Sequence, residues 1–322
     1  MSKPTEKNRM LKEIFTGITV SVLLFTATIA IPLLGFFIAL VLPMPILVYR
    51  LKLGRQMGGV IALAVFCVIM VMTGGMYVDL LFYGALLLTG FFLGEYLEKP
   101  LSLEKTGLYT CLTTLGFCAL GVFLYSVVTG ENLVSMVSDY VAKNIEITLK
   151  LYSEMGVPQE NIDTITGAMD TVQYVLVRLL PALTAAMVIF ETWINLLFIK
   201  KFLAKKQIFF ARLERLNQWR APEQLVWLAI LFGLLIALPG RPLKITGLNL
   251  VIVLMPIYFF QGIAIVSFFF EKKRFPRFLR ILIYGIIAIQ QIFLFLVMGL
   301  GFFDTWINFR KLDTMEEEEP DE

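Results

Sequence analysis

The stretch Ile14-FTGITVSVLLFTATIAIPLLGFFIALVLPMPILV-Tyr49 decides the fold of this chain. It carries no charged side chain, and as one helix its roughly 36 residues would measure about 54 Å, well beyond the ~30 Å of hydrocarbon that one crossing requires. Pro32 and Gly35 can break it, so one helix is expected to about Ile31. A second, shorter one then runs to Tyr49, disturbed by Pro43 and Pro45, which remove backbone donors.

The rest of the chain has the same character. Of 322 residues, 58% are apolar and 16% charged, and the mean hydropathy is +0.79. Water-soluble domains carry about 45–50% apolar and about 25% charged residues, so lipid is the expected solvent. Further apolar stretches are Met57 to Thr73, Val78 to Gly94, Gly107 to Thr129, Tyr174 to Ile199, Glu223 to Leu238, Leu248 to Phe270 and Ile281 to Phe303. With the two from the opening run they predict about nine spans, or eight if the short Glu223 to Leu238 stretch does not cross.

Basic residues orient the bundle, because Lys and Arg gather in short cytoplasmic loops. With the N-terminus inside, most of the 28 Lys and Arg fall inside, and an odd span count puts the acidic tail from Met315 to Glu322 outside. The charged leader from Met1 to Lys12 would suit a signal peptide. The apolar run behind it is too long for one, so an uncleaved anchor is expected. The organisation is thus a leader (1–13), a first membrane group (14–129), an acidic extracytoplasmic insert (130–172), a second membrane group (173–303) and a polar tail (304–322).

Within the insert, Leu133, Val137, Tyr140, Val141, Ile145, Thr148 and Leu151 recur at helical spacing up to a break at Gly156 and Pro158. This predicts a helical hairpin that either packs on the outer ends of the bundle or lids a solute cavity. Two basic segments, Lys200 to Arg220 and Glu271 to Arg280, face anionic lipid heads or a cytoplasmic partner.

Several chemistries are excluded or disfavoured. The chain has no His, the commonest general base and metal ligand. Cys67, Cys111 and Cys118 lie in apolar runs without metal-ligand spacing and read as buried thiols. There is no phosphate-binding loop and no nucleophile elbow, so no enzyme, no cofactor and no metal are expected. A net charge of +3 gives no reason for a nucleic-acid partner.

Ionisable groups inside spans are costly and are functional candidates. Glu191 and Asn195 share a face of the sixth span, and Gln261, Gln290 and Gln291 lie in the last two. Counted from the inner helix ends, Glu191, Gln261 and Gln290 reach one depth, roughly 12 to 14 Å. They form either a solute-binding or ion-binding site or interhelical hydrogen bonds that tie the bundle. Near the outer boundary, Arg178 is expected to pair with Asp79 or Asp304. Gly90 and Gly94, and Ala182 and Ala186, space small residues for close helix contact.

The break Pro32-Leu-Leu-Gly35 with Pro43-Met-Pro45, the hairpin feeding Arg178-Leu-Leu-Pro181, Asn195, and the closing Gly301-Phe-Phe-Asp304-Thr-Trp-Ile-Asn308-Phe-Arg310-Lys311 together resemble the YybS-like family. That group comprises bacterial multi-spanning membrane proteins, domain of unknown function 2232. The resemblance covers roughly residues 10 to 311, with Asp304, Asn308 and Arg310 in its most specific motif. The family is distantly similar to the substrate-capturing membrane subunits of energy-coupling-factor vitamin transporters. The resemblance implies a solute-binding bundle without its own motor, served by a separate ATPase complex. The rival expectation is a non-transporting scaffold or sensor that recruits partners through its basic loops.

Overall fold

The computed structural model describes residues 4–74, 78–130, 132–205 and 216–311. Among these there are helices and no strands, the arrangement of an all-α, multi-pass membrane bundle. In lipid every backbone group must be satisfied within the segment, which a helix does by itself.

The opening run folds as a zigzag. Helix α1 (Pro4–Ala30) ends before Pro32, which starts α2 (Pro32–Ala39). Three tight i to i+3 hydrogen bonds turn residues 38–44 before α3 (Pro43–Met72) begins. Helix α2 and the first arm of α3 run back along α1. A Cβ on Gly35 would lie 2.3 Å from the Thr28 carbonyl, one on Gly17 would lie 2.9 Å from the Tyr49 ring, and Lys52 pairs with Glu13.

Helix α3 then reverses at Gly54, whose φ of 84° and ψ of 175° are open to a residue without Cβ. A Cβ on Gly58 would lie 2.8 Å from Arg50 Cα. In a straight helix those residues would be about 12 Å apart. The arms 43–53 and 55–72 are therefore separate, antiparallel passages, as the sequence predicts.

Helices α4 (Val78–Leu97) and α5 (Leu103–Thr129) follow, α5 capped by the Ser102 side chain. Gly90 and Gly94 do what their spacing predicts: a Cβ on Gly90 would strike the Pro43 carbonyl at 2.4 Å, and one on Gly94 would press on Arg50 at 3.1 Å. Where lipid tails remove any hydrophobic drive between helices, such close approach is what holds α4 on α3.

The insert forms the expected hairpin, α6 (Leu133–Glu154) and α7 (Gln159–Gly167), broken at Gly156. Helix α6 buries Met136 and Val141, and Ser138 accepts a 2.8 Å hydrogen bond from Gln173 of α8 (Met169–Lys205). The hairpin thus packs on the bundle through the first half of α6, while Thr148 and Leu151 of the expected stripe are exposed.

The last third departs from expectation. A 3-10 turn (Leu216–Gln218) and an extended segment lead into the short α9 (Gln224–Ala237), which lies antiparallel to α10 (Arg241–Lys272). The Ala221 amide meets Gln261, and a Cβ on Gly247 would lie 2.8 Å from the Phe232 carbonyl, so this segment packs antiparallel along α10.

Helices α11 (Arg277–Ile289) and α12 (Gln291–Ile307) are bent by 102° at Gln290. Contacts along α10 fix their directions. Arg280 bonds the Phe270 carbonyl and the Tyr284 ring meets Phe270, so the start of α11 is tied to the end of α10. On α12, Phe302 meets Tyr258, Asp304 meets Gln261, and Arg310 reaches the Asn217 carbonyl beside Glu271. Successive residues of α12 meet successive residues of α10 in the same order, so the pair enters the bundle and returns. The expected ninth span is instead a re-entrant hairpin, and the turn at 308–311 lies on the side of the N-terminus, not opposite it.

Six helices are individually long and apolar enough to cross. The reversal at Gly54 divides one of these, and α9, too short to be among them, packs beside α10. Two apolar cores hold them. Phe25, Leu42, Ile61, Ile69, Leu80 and Leu86 fill the space among α1 to α4. Leu47, Leu93, Trp193, Ile199, Trp219 and Phe260 join α3, α4, α8 and α10 near the side of the N-terminus.

Candidate functional site

Helix α8 carries Glu191, Thr192 and Asn195 into the bundle, where the three are 1%, 0% and 0% exposed. The Asn195 amide donates to the Glu191 carbonyl at 2.9 Å and across to the Leu40 carbonyl at 2.9 Å. Leu40 lies in the turn that ends α2, so the broken opening run and the polar face of α8 meet at one point. The Cys111 thiol of α5 is 3.6 Å from the Thr192 hydroxyl, and Glu191 is within electrostatic range of Cys111 and Cys118. Thr114 lies between those cysteines on the same face of α5 and is fully buried.

The electrostatics of this buried cluster are unbalanced. Neither Glu191 carboxylate oxygen accepts a hydrogen bond from the protein, nor does Asn195 Oδ1, and the Thr114 hydroxyl is also without a partner. The neighbouring hydroxyls are committed to their own helices: Thr110 donates to the Thr106 carbonyl and Thr89 to the Ala85 carbonyl. A carboxylate enclosed by apolar protein needs a counter-charge, either a proton or a cation. The arrangement can therefore receive a positive or hydrogen-donating species and has nothing to offer an anion.

Gln261 does not join this group. Its Oε1 accepts from the Ala221 amide at 3.2 Å and its Nε2 donates to Asp304 at 3.3 Å. Asp304 is salt-bridged to Arg310 at 2.8 Å and accepts from the Phe309 amide at 3.0 Å. Arg310 also donates to the Asn217 and Trp219 carbonyls at 2.9 and 3.0 Å, and Asn308 accepts from Arg220. These contacts satisfy the non-helical backbone ahead of α9, which lipid could not do. The closing motif Asp304, Asn308, Arg310 is a latch between the re-entrant hairpin and the segment 217–221.

Gln290 and Gln291 are exposed at the bend between α11 and α12, away from Glu191. The common depth predicted for Gln290 fails because the helix that carries it turns back. Asp304 is engaged by Arg310, so it does not form the expected outer pair with Arg178, from which the same turn separates it. Arg178 is exposed, donating to the Tyr174 carbonyl at 3.1 Å and lying 3.5 Å over the Tyr174 ring. The Asp79 side chain lies outside the described ones.

Two features went unread in the sequence. Arg50, 2% exposed, bridges Glu95 at 2.7 Å and Glu98 at 2.8 Å where α3 meets α4. Thr114 completes the row Thr106, Thr110, Thr114 at four-residue spacing, a polar stripe on an apolar helix that would have marked the buried face.

Among the described residues no group of three or more His, Cys, Asp and Glu could hold a metal ion. Comparison with curated proteins and with solved structures returns no match. A family model described as predicted membrane protein (DUF2232) matches residues 19–305, and on that match the chain belongs to this family of membrane proteins.

Proposed function

We propose that the chain is a bacterial cytoplasmic-membrane protein, N-terminus inside, that binds a small positive or hydrogen-donating species at Glu191 and takes part in moving a small solute. It acts without an ATPase of its own, so a separate energising complex is the partner this reading requires, and it acts as a binder rather than an enzyme. The observation that carries the proposal is the enclosed Glu191 carboxylate, whose two oxygens no protein group bonds. Groups that only tie helices together are bonded to one another, as Gln261, Asp304 and Arg310 are.

The orientation is supported by charge. With Arg310 and Lys311 on the side of the N-terminus, the bases left opposite among the described residues are Lys143, Lys150, Arg241 and Lys244, with Arg178 inside α8. That is the bias expected of a cytoplasmic N-terminus.

Native mass spectrometry of the detergent-extracted protein tests the binding reading. A small bound species should persist on the wild type and be lost from Glu191→Gln while both remain monodisperse. Identical spectra from the two proteins would refute it.

A further inference from the structure

We infer that the species held at Glu191 is a single monovalent cation stripped of water, with Na+ as the probe that tests it. The inference rests on the binding reading above and narrows it to one ligand class.

Three observations lead there. The first is the donor set: the unpartnered atoms are the two Glu191 oxygens, Asn195 Oδ1 and the Thr114 hydroxyl oxygen, a set of hard oxygens. Hard oxygen ligands suit alkali and alkaline-earth ions, while softer metals seek thiolate or imidazole. The nearest thiol, Cys111, is engaged with Thr192.

The second is charge. Glu191 is the one acid among the buried polar residues of this cluster, and no base lies among them. One carboxylate balances one positive charge, whereas sites for divalent ions draw on several. Arg50, a buried base of the neighbouring α3, is committed to Glu95 and Glu98.

The third is enclosure together with the broken helix. Glu191, Thr192, Asn195 and Thr114 are each 1% exposed or less, so an entering ion leaves its hydration shell behind and needs protein oxygens in its place. The turn that ends α2 lies against this site, where the Leu40 carbonyl accepts from the Asn195 amide.

The experiment uses the full chain purified in detergent, with 22Na+ binding measured directly and thermal unfolding compared in NaCl and choline chloride at equal ionic strength. The wild type should bind one Na+ per chain saturably, and its unfolding midpoint should rise with Na+ but not with choline. Glu191→Gln should weaken Na+ binding by at least about tenfold. Thr114→Val, which keeps the side-chain shape and removes only the oxygen, should weaken it severalfold in a folded protein.

A midpoint that responds to pH but is the same in NaCl and choline chloride would overturn the inference in favour of a proton. If Glu191→Gln still loses its copurifying species in that case, the binding reading survives without the cation. Equal behaviour of Glu191→Gln and wild type in every assay would remove both.

Discussion

Among the described residues two buried carboxylates sit in this bundle and are treated in opposite ways. Asp304 is 2% exposed and fully engaged, by Arg310, the Phe309 amide and Gln261. Glu191 is 1% exposed and its oxygens receive nothing from the protein. The first is a closed structural device, because a buried charge with ideal partners has no capacity left for a ligand. The second retains all of its capacity, which is why the ligand proposal centres on it.

The contrast is sharpest in outcomes that run in opposite directions. The largest expected effect is all-or-none and concerns the latch that holds Asp304. A reporter fused after the last residue should be active on the same side as one fused to the N-terminus, because α11 and α12 return. Activity on opposite sides would mean that α11 and α12 form one crossing after all.

Next is Asp304→Ala, which strands Arg310 in the interior and should cost about 3–5 kcal/mol. The readout is a lowered unfolding midpoint in detergent, and Asp304→Ala with Arg310→Met should recover much of the loss. Gly262→Ala comes third: its Cβ would lie 1.9 Å from the Val297 carbonyl, so α12 must shift off α10. Overpacking of this kind costs about 1–3 kcal/mol.

Glu191→Gln should change stability by less than about 1 kcal/mol, or raise it, since it removes a charge that no protein group compensates. A loss as large as that of Asp304→Ala would place Glu191 among the structural groups and erase the distinction. Smallest is Arg178→Gln, expected within about 0.5 kcal/mol of wild type because the side chain rests exposed on Tyr174.

Much of the first two thirds was legible because local chemistry marks each break. Pro32 stops α1 and Gly156 ends α6, each through a backbone property that the residue type dictates, while Pro43, expected only to disturb a helix, starts a new one. The shared face of Glu191 and Asn195 followed from helical spacing alone. The bend at Gln290 was not legible: it falls in the run Ile-Gln-Gln-Ile, with neither Pro nor Gly to announce it.

That one turn accounts for the misplacement of Gln290 and Asp304, whose depths were counted along a helix assumed straight. Asn308, left-handed at φ 46° and closing α12, was the available clue that the chain turns there. The partner of Asp304 lies six residues further on, past that turn, where helical periodicity no longer points.

The re-entrant hairpin also constrains how the molecule is made. A segment that enters and leaves by one face cannot act as a stop-transfer sequence, so α11 and α12 must be laid against α10 after α10 is itself in the bilayer. Biogenesis of this part of the chain therefore includes a folding step inside the membrane, and a nascent chain halted at Arg274 would leave its Gly262 seam facing lipid.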